Sequence, residues 1–167
     1  MDSELVQIVD AALAEAVRKG GAWIACEPGC ADCCLGPFPI TQLDAQRLRQ
    51  GLAQLRAADP GRAARVVERA QKAASAPECE DDPCPALDPE HGTCDLYAAR
   101  PLTCRTFGPA LRWNSEAVGV CELCFIGASD QEIADCAVTL DDQGREAALL
   151  EQMGARRQTS VTFALAT

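Results

Sequence analysis

A mainly α fold, a small irregular helical domain with long loops, is what the 167-residue sequence predicts. Two observations carry that expectation. Apolar side chains return at the i, i+3, i+4 spacing of a helix in successive segments before residue 75, and capping signatures recur after residue 128. Alanine supplies much of the apolar total while aromatic residues make up only 4% of the chain, a composition that favours helices around modest cores. The length suits a single domain over 1–167, large enough to bury a core of its own.

The elements follow in order. Residues 3–19 read as an amphipathic helix, because Leu5, Ile8, Val9, Ala12, Leu13, Ala16 and Val17 keep one apolar face without a gap. Asp2 or Ser3 can cap its start, and Gly20-Gly21 ends it. A loop containing Gly and Pro then runs to Thr41, which with Asp44 three residues on forms a helix-start signature. The second helix extends to about Ala57 and turns Leu43, Leu48, Leu52 and Leu55 inward. Asp59-Pro60 pairs an N-cap with proline at the first helical position, so a third helix runs to about Ala74 and makes a hairpin with the second. Arg62, Arg65 and Arg69 on that hairpin read as solvated surface.

From Ala76 to Thr93 the periodicity breaks. Pro77, Pro83, Pro85, Pro89 and Gly92, with an acidic run from Glu78 to Asp82, predict irregular loop. Pro101 suits the first turn of a short helix that carries Cys104. Ser129-Asp130-Gln131-Glu132 is a capping box for a helix to about Cys136, and Asp141 can cap another to about Met153. Weak alternation at Val161, Phe163 and Leu165 allows a short strand or an extended tail.

A formal net charge of −10 argues against a basic surface for nucleic acid or anionic membrane. No apolar run reaches the roughly 18 residues of a membrane span. The segment Met1-Asp2-Ser3-Glu4-Leu5 has neither the basic nor the apolar region of a secretory signal. A cytoplasmic protein with reduced thiols is therefore expected.

Eleven cysteines are then the most telling residues, and four of them fall within the nine residues Cys26-Glu-Pro-Gly-Cys30-Ala-Asp-Cys33-Cys34. An odd number of reduced thiols makes a disulfide framework the lesser reading, and metal ligation the leading one. Cys30-x2-Cys33 has the spacing that lets two thiolates reach one ion, and Cys121-x2-Cys124 repeats it, although much further along the chain than in a zinc ribbon. Cys33 and Cys34 are adjacent. A trans peptide usually directs neighbouring side chains apart, and a disulfide between Cα atoms about 3.8 Å apart is strained. The pair therefore points to more than one metal atom, the plainer alternative being a buried structural Cys34. The predicted fold is thus a set of helices and loops organised around a cysteine-ligated metal centre.

The segments CADCC at 30–34, CPAL at 84–87 and CDLYAARPLTCRTFG at 94–108 resemble the YkgJ-type cysteine-cluster proteins, a zinc- or iron-chelating domain, over about residues 26–124. The resemblance implies a metal or iron–sulfur site with Cys30, Cys33, Cys34, Cys84, Cys94 and Cys104 as ligands, and Cys121 fits a further cysteine. Cys26 departs from the pattern by one residue of spacing. Cys26 and Cys124 complete the candidate set, while Cys79 and Cys136 fall outside it as small buried hydrophobes or spare thiols.

Four thiolates on a divalent ion leave a net charge of about −2, which is costly in a low-dielectric setting. Arg100 and Arg105 could offset it by donating N–H groups to sulfur. For Arg100 a surface salt bridge with the acidic loop is an equal alternative, whereas Arg105 stands beside Cys104. His91, the one histidine, lies in the turn Asp88-Pro89-Glu90-His91-Gly92 and reads as exposed; Asp32 reads as facing solvent. No Walker loop, Rossmann glycine pattern or Ser–His–Asp set is present.

The expected function is a cytoplasmic metal-binding protein holding an iron–sulfur cluster or a polynuclear iron/zinc site, with a redox or enzyme-component role. The alternatives are a zinc-stapled structural or interaction module and a metal storage or delivery protein. An unidentified protein or small molecule is the expected partner, with no nucleic acid and no membrane.

Overall fold

The computed structural model describes residues 3–77, 79–113, 118–155 and 157–167. Asp2, one of the two candidate caps of the first helix, lies outside them. In chain order the helices are α1 (Ser3–Gly20), α2 (Gln42–Ala58), α3 (Pro60–Ala74), α4 (Leu102–Arg105), α5 (Asp130–Cys136), α6 (Arg145–Gln152) and α7 (Val161–Leu165). The strands are β1 (Pro39–Ile40), β2 (Leu87–Asp88), β3 (Thr93–Cys94), β4 (Leu111–Trp113), β5 (Val118–Gly119), β6 (Val138–Leu140) and β7 (Thr159–Ser160). Single 3₁₀ turns form at Gly21–Trp23, Asp32–Cys34 and Tyr97–Ala99. The fold class is mainly α, as the periodicity predicts.

Side-chain caps fix most helix starts. Thr41 accepts from the Asp44 amide while the Asp44 carboxylate accepts from the Thr41 amide, and Ser129 and Glu132 repeat that reciprocal box at α5. Asp59 accepts from the Arg62 amide, with Pro60 in the first turn of α3. Asp141 caps α6 from further back than predicted. Its carboxylate takes the amides of Arg145 and Glu146, and Gly144 at φ 65° makes the turn between them.

The chain forms two compact units, Met1–Glu27 with Arg105–Gly154, and Pro28–Cys104 with Ala155–Thr167. In the first unit, α1 packs on β6 and α5. There β4 pairs antiparallel with β5 and parallel with β6, in the register Leu111↔Val138. Leu5, Val9, Leu111 and Leu140 are buried. A second apolar group gathers Ala110, Cys124 and Phe125, and the Phe125 ring stacks on Trp23 with centroids 6.3 Å apart.

In the second unit α2 and α3 form the predicted hairpin, and α7 lies against both. Ile40, Leu48, Leu52, Val66, Val161 and Leu165 share its core, where each large aliphatic side chain contributes on the order of 1.5–3 kcal/mol. Leu43 is buried as expected, whereas Leu55 is only half-buried.

Two expectations change here. The tail is a strand for two residues only, β7 pairing with β1 (Pro39↔Ser160), after which Ser160 caps α7 by accepting from the Phe163 amide. The proline-rich stretch is not wholly irregular, because β2 and β3 form an antiparallel hairpin across it in the register Leu87↔Cys94.

Candidate metal centre

In the second unit three segments carry cysteines into one region, and backbone hydrogen bonds fix two of them to each other. The 3₁₀ turn Asp32–Cys34 closes through the Cys34 amide on the Ala31 carbonyl at 2.8 Å. The Cys84 amide then donates to the Cys34 carbonyl at 2.7 Å, and the Gly36 amide to the Asp82 carbonyl at 2.9 Å. CADCC and CPAL are thus laced together as a short antiparallel bridge at Leu35↔Pro83. The β2–β3 hairpin brings Cys94 back beside Leu87, and α4 supplies Cys104.

Electrostatics links several of these thiols to one another. A hydrogen bond from the Cys34 thiol holds Cys33 down to about 6, despite its partial burial, with Arg100 helping. The same bond pushes Cys34 up, reinforced by burial and by the neighbouring Cys33, Cys84 and Cys94. Burial raises Cys84 to about 11, and Cys94 adds to the rise while Arg69 opposes it. Cys104 is raised by burial and then by Cys84, Cys33 and Cys94. Burial also raises Cys94, against a backbone hydrogen bond at Leu96 and the charge of Arg100.

Cys33, Cys34, Cys84, Cys94 and Cys104 therefore form one interacting group. The adjacent pair sits in the 3₁₀ turn Asp32–Cys34, and the two thiols interact with each other, which lowers Cys33 and raises Cys34. Among the described residues the one trio of candidate ligand atoms all within 4.8 Å of one another is Asp88, Glu90 and His91. No three of the described thiol sulfurs all lie within 4.8 Å of one another.

Two buried carboxylates anchor these segments to the α2–α3 hairpin. Asp44, 1% exposed, accepts from Arg47 Nη1 at 2.6 Å and from the Leu102 amide at 2.9 Å, which holds the start of the helix bearing Cys104. Asp95, next to Cys94 with its side chain 3% exposed, accepts from Arg62 Nε and from Arg69 Nη2. Arg69 Nε also donates to the Pro85 carbonyl at 2.8 Å, and the Asp95 amide to the Ala86 carbonyl at 2.7 Å. Arg62 and Arg69 are thus not the solvated surface expected of them. Their partner lies 26 or more residues away, beyond any local pattern, although an Asp beside a cysteine opposite an arginine-bearing helix is the signal that was available. Arg65 is exposed as expected.

Arg100 lies on the exposed Tyr97 ring, its guanidinium carbon 3.7 Å from the centroid, and its charge reaches Cys33 and Cys94. Arg105 belongs to the first unit, where its buried guanidinium donates to both oxygens of Asp10 at 2.7 and 2.9 Å. Cys30 is half-buried in the second unit, its thiol donating to Asp32 Oδ2 at 3.9 Å.

The remaining cysteines have other surroundings. In the first unit Cys26 is exposed, with its sulfur 2.6 Å from where a Cβ on Gly108 would stand, and the Cys121 amide donates to the Gly108 carbonyl at 3.2 Å. Cys124 is buried in the apolar group, and its sulfur accepts from the Ala25 amide at 3.5 Å. Cys136 packs at the edge of that group. Cys79 is exposed in the second unit and so is not a buried hydrophobe. His91 is exposed and paired with Asp88 at 2.7 Å, which raises the imidazole from its ordinary value.

A zinc- or iron-type centre fits the chemistry of the five-thiol group. Several thiolates crowded in partial burial repel one another, which is why their neighbours raise them, and a soft cation removes that cost. Curated proteins and solved structures give no match to the chain. A family profile does match, over residues 25–133. Most of the chain lies within that span, cysteine group included, and the chain belongs to the CxxCxxCC family, described as a "putative zinc- or iron-chelating domain".

Proposed function

We propose that this metal-binding protein carries a polynuclear iron centre, in the form of an iron–sulfur cluster, and serves a redox or enzyme-component role in the cytoplasm. The observation that supports this reading is the size of the mutually interacting thiol group. Cys33, Cys34, Cys84, Cys94 and Cys104 offer five sulfurs, one more than a single tetrahedral ion uses. Arg100, close enough to favour the thiolates of Cys33 and Cys94, supplies the positive charge by which proteins tune cluster potential. The adjacent Cys33 and Cys34 argue for this through their number. Cys30 also belongs to this proposed ligand set, whereas Cys26, Cys121 and Cys124 are proposed as ligands within the first unit, with Arg105 as a charge there.

The test is purification without oxygen, followed by iron, zinc and acid-labile sulfide analysis with the visible spectrum. A brown protein with comparable iron and sulfide is the expected result. A colourless protein containing zinc alone removes the cluster and leaves the zinc-stapled module in its place.

A further inference from the structure

The hairpin that carries Cys84 and Cys94 holds onto α3 through one carboxylate. Asp95 is almost wholly enclosed and accepts from two different arginines, Arg62 and Arg69, placed two turns apart on α3. Arg69 bridges further to the Pro85 carbonyl, one residue from Cys84. The Asp95 amide closes the other side of the hairpin on Ala86. Every one of these bonds lies within two residues of a thiol-bearing position, and while Ala86 and Leu96 beside the hairpin join the apolar core, Leu87 and Asp88 of β2 are both only half-buried. Planar guanidinium groups that converge on one buried carboxylate fix direction as well as distance. We propose that Asp95, gripped by Arg62 and Arg69, is a positioning residue for the metal centre that keeps Cys84 and Cys94 aimed at the metal and thereby sets how slowly metal leaves. This rests on the reading of these cysteines as metal ligands.

Metal ligands are commonly oriented by hydrogen-bonded neighbours whose loss weakens retention about 10–100-fold. The clamp differs from an ordinary stabilising ion pair in what its loss does. A merely structural pair lowers the stability of the metal-free and metal-loaded forms alike, whereas a positioning clamp changes the rate of metal loss while the metal-free fold stays close to wild type.

The experiment uses the full chain purified without oxygen, with iron and zinc followed by elemental analysis and the metal–thiolate absorbance during a challenge with excess EDTA. Three variants are compared with wild type: Asp95→Asn, Arg62→Gln, which leaves the Asp95–Arg69 bond in place, and Arg65→Gln as the exposed control on the same helix. Asp95→Asn should release metal at least about tenfold faster than wild type. Arg62→Gln should fall between them with a near-native metal-free melting midpoint, and Arg65→Gln should match wild type. Release from Asp95→Asn at the wild-type rate overturns the proposal. So does a lowered metal-free midpoint in both clamp variants with release unchanged. Should Asp95→Asn not fold, Arg62→Gln decides alone, and wild-type release from it overturns the clamp. Wild-type protein isolated with neither iron nor zinc overturns the metal reading itself, before any variant is compared.

Discussion

Gly51 stands in the middle of α2, where a glycine ordinarily weakens a helix by about 1 kcal/mol relative to alanine. Substitution by alanine would normally recover that. Here a Cβ at position 51 would lie 2.3 Å from the Cβ of Ala99, in the 3₁₀ turn that leads to Arg100. Neither methyl has a rotamer by which to escape, so backbone must move, and overpacking of this kind costs about 1–3 kcal/mol. The clash outweighs the propensity gain. Gly51→Ala should therefore lower the free energy of unfolding by up to about 2 kcal/mol in urea titration, and adding Ala99→Gly should recover most of the loss. A Gly51→Ala protein more stable than wild type would contradict the close approach.

At the level of elements, two capping boxes that look alike in sequence carry unequal weight. Ser129 and Glu132 cap α5 at the surface, an arrangement worth about 1 kcal/mol. Asp44 completes the box of α2 while also facing buried Arg47 and receiving the first amide of α4. Asp44→Asn leaves Arg47 charged and buried without its carboxylate, a change that costs about 3 kcal/mol or more, whereas Ser129→Ala should cost about 1 kcal/mol. Chemical denaturation of the two variants checks this, and equal losses would show that Asp44 acts as a cap and nothing else. The contrast also explains what was legible in the sequence. Caps and apolar periodicity are local, so the starts of α2, α3 and α5 and the extent of α1 could be read directly. The strands are two or three residues long, too short for a period of two to register, and β4 and β6 pair across 27 residues. The thiol group was legible by residue type. Its anchors were not, because Asp44 and Asp95 become significant only when chain segments distant in sequence meet.

At the scale of the molecule, the second unit divides its stabilisation between two kinds of material. The apolar core built by α2, α3 and α7 contains Leu48, Leu52, Val66 and Leu165 and needs no metal to stay out of water. The cysteine-bearing segments are turns, two-residue strands and the single-turn α4, held by a few backbone bonds such as those of the Cys84 and Gly36 amides, by the Asp95 clamp and Asp44, and by Ala86 and Leu96 at the edge of the core. Binding energy at the thiols stabilises only conformations in which those segments are closed. Metal removal should therefore act locally. After exhaustive chelation under reducing conditions, amide hydrogen exchange at Gly36 and Cys84 should accelerate strongly, while the amides of Leu48, Leu52 and Val66 in α2 and α3 keep most of their protection. Mass-spectrometric or NMR exchange on the loaded and stripped protein separates the alternatives. Unchanged protection at Gly36 and Cys84 would mean that the clamp and backbone bonds suffice without metal. Simultaneous loss at Leu48 and Val66 would mean that the metal supports the whole unit, the behaviour of a zinc-stapled module rather than of a scaffold that presents a redox centre.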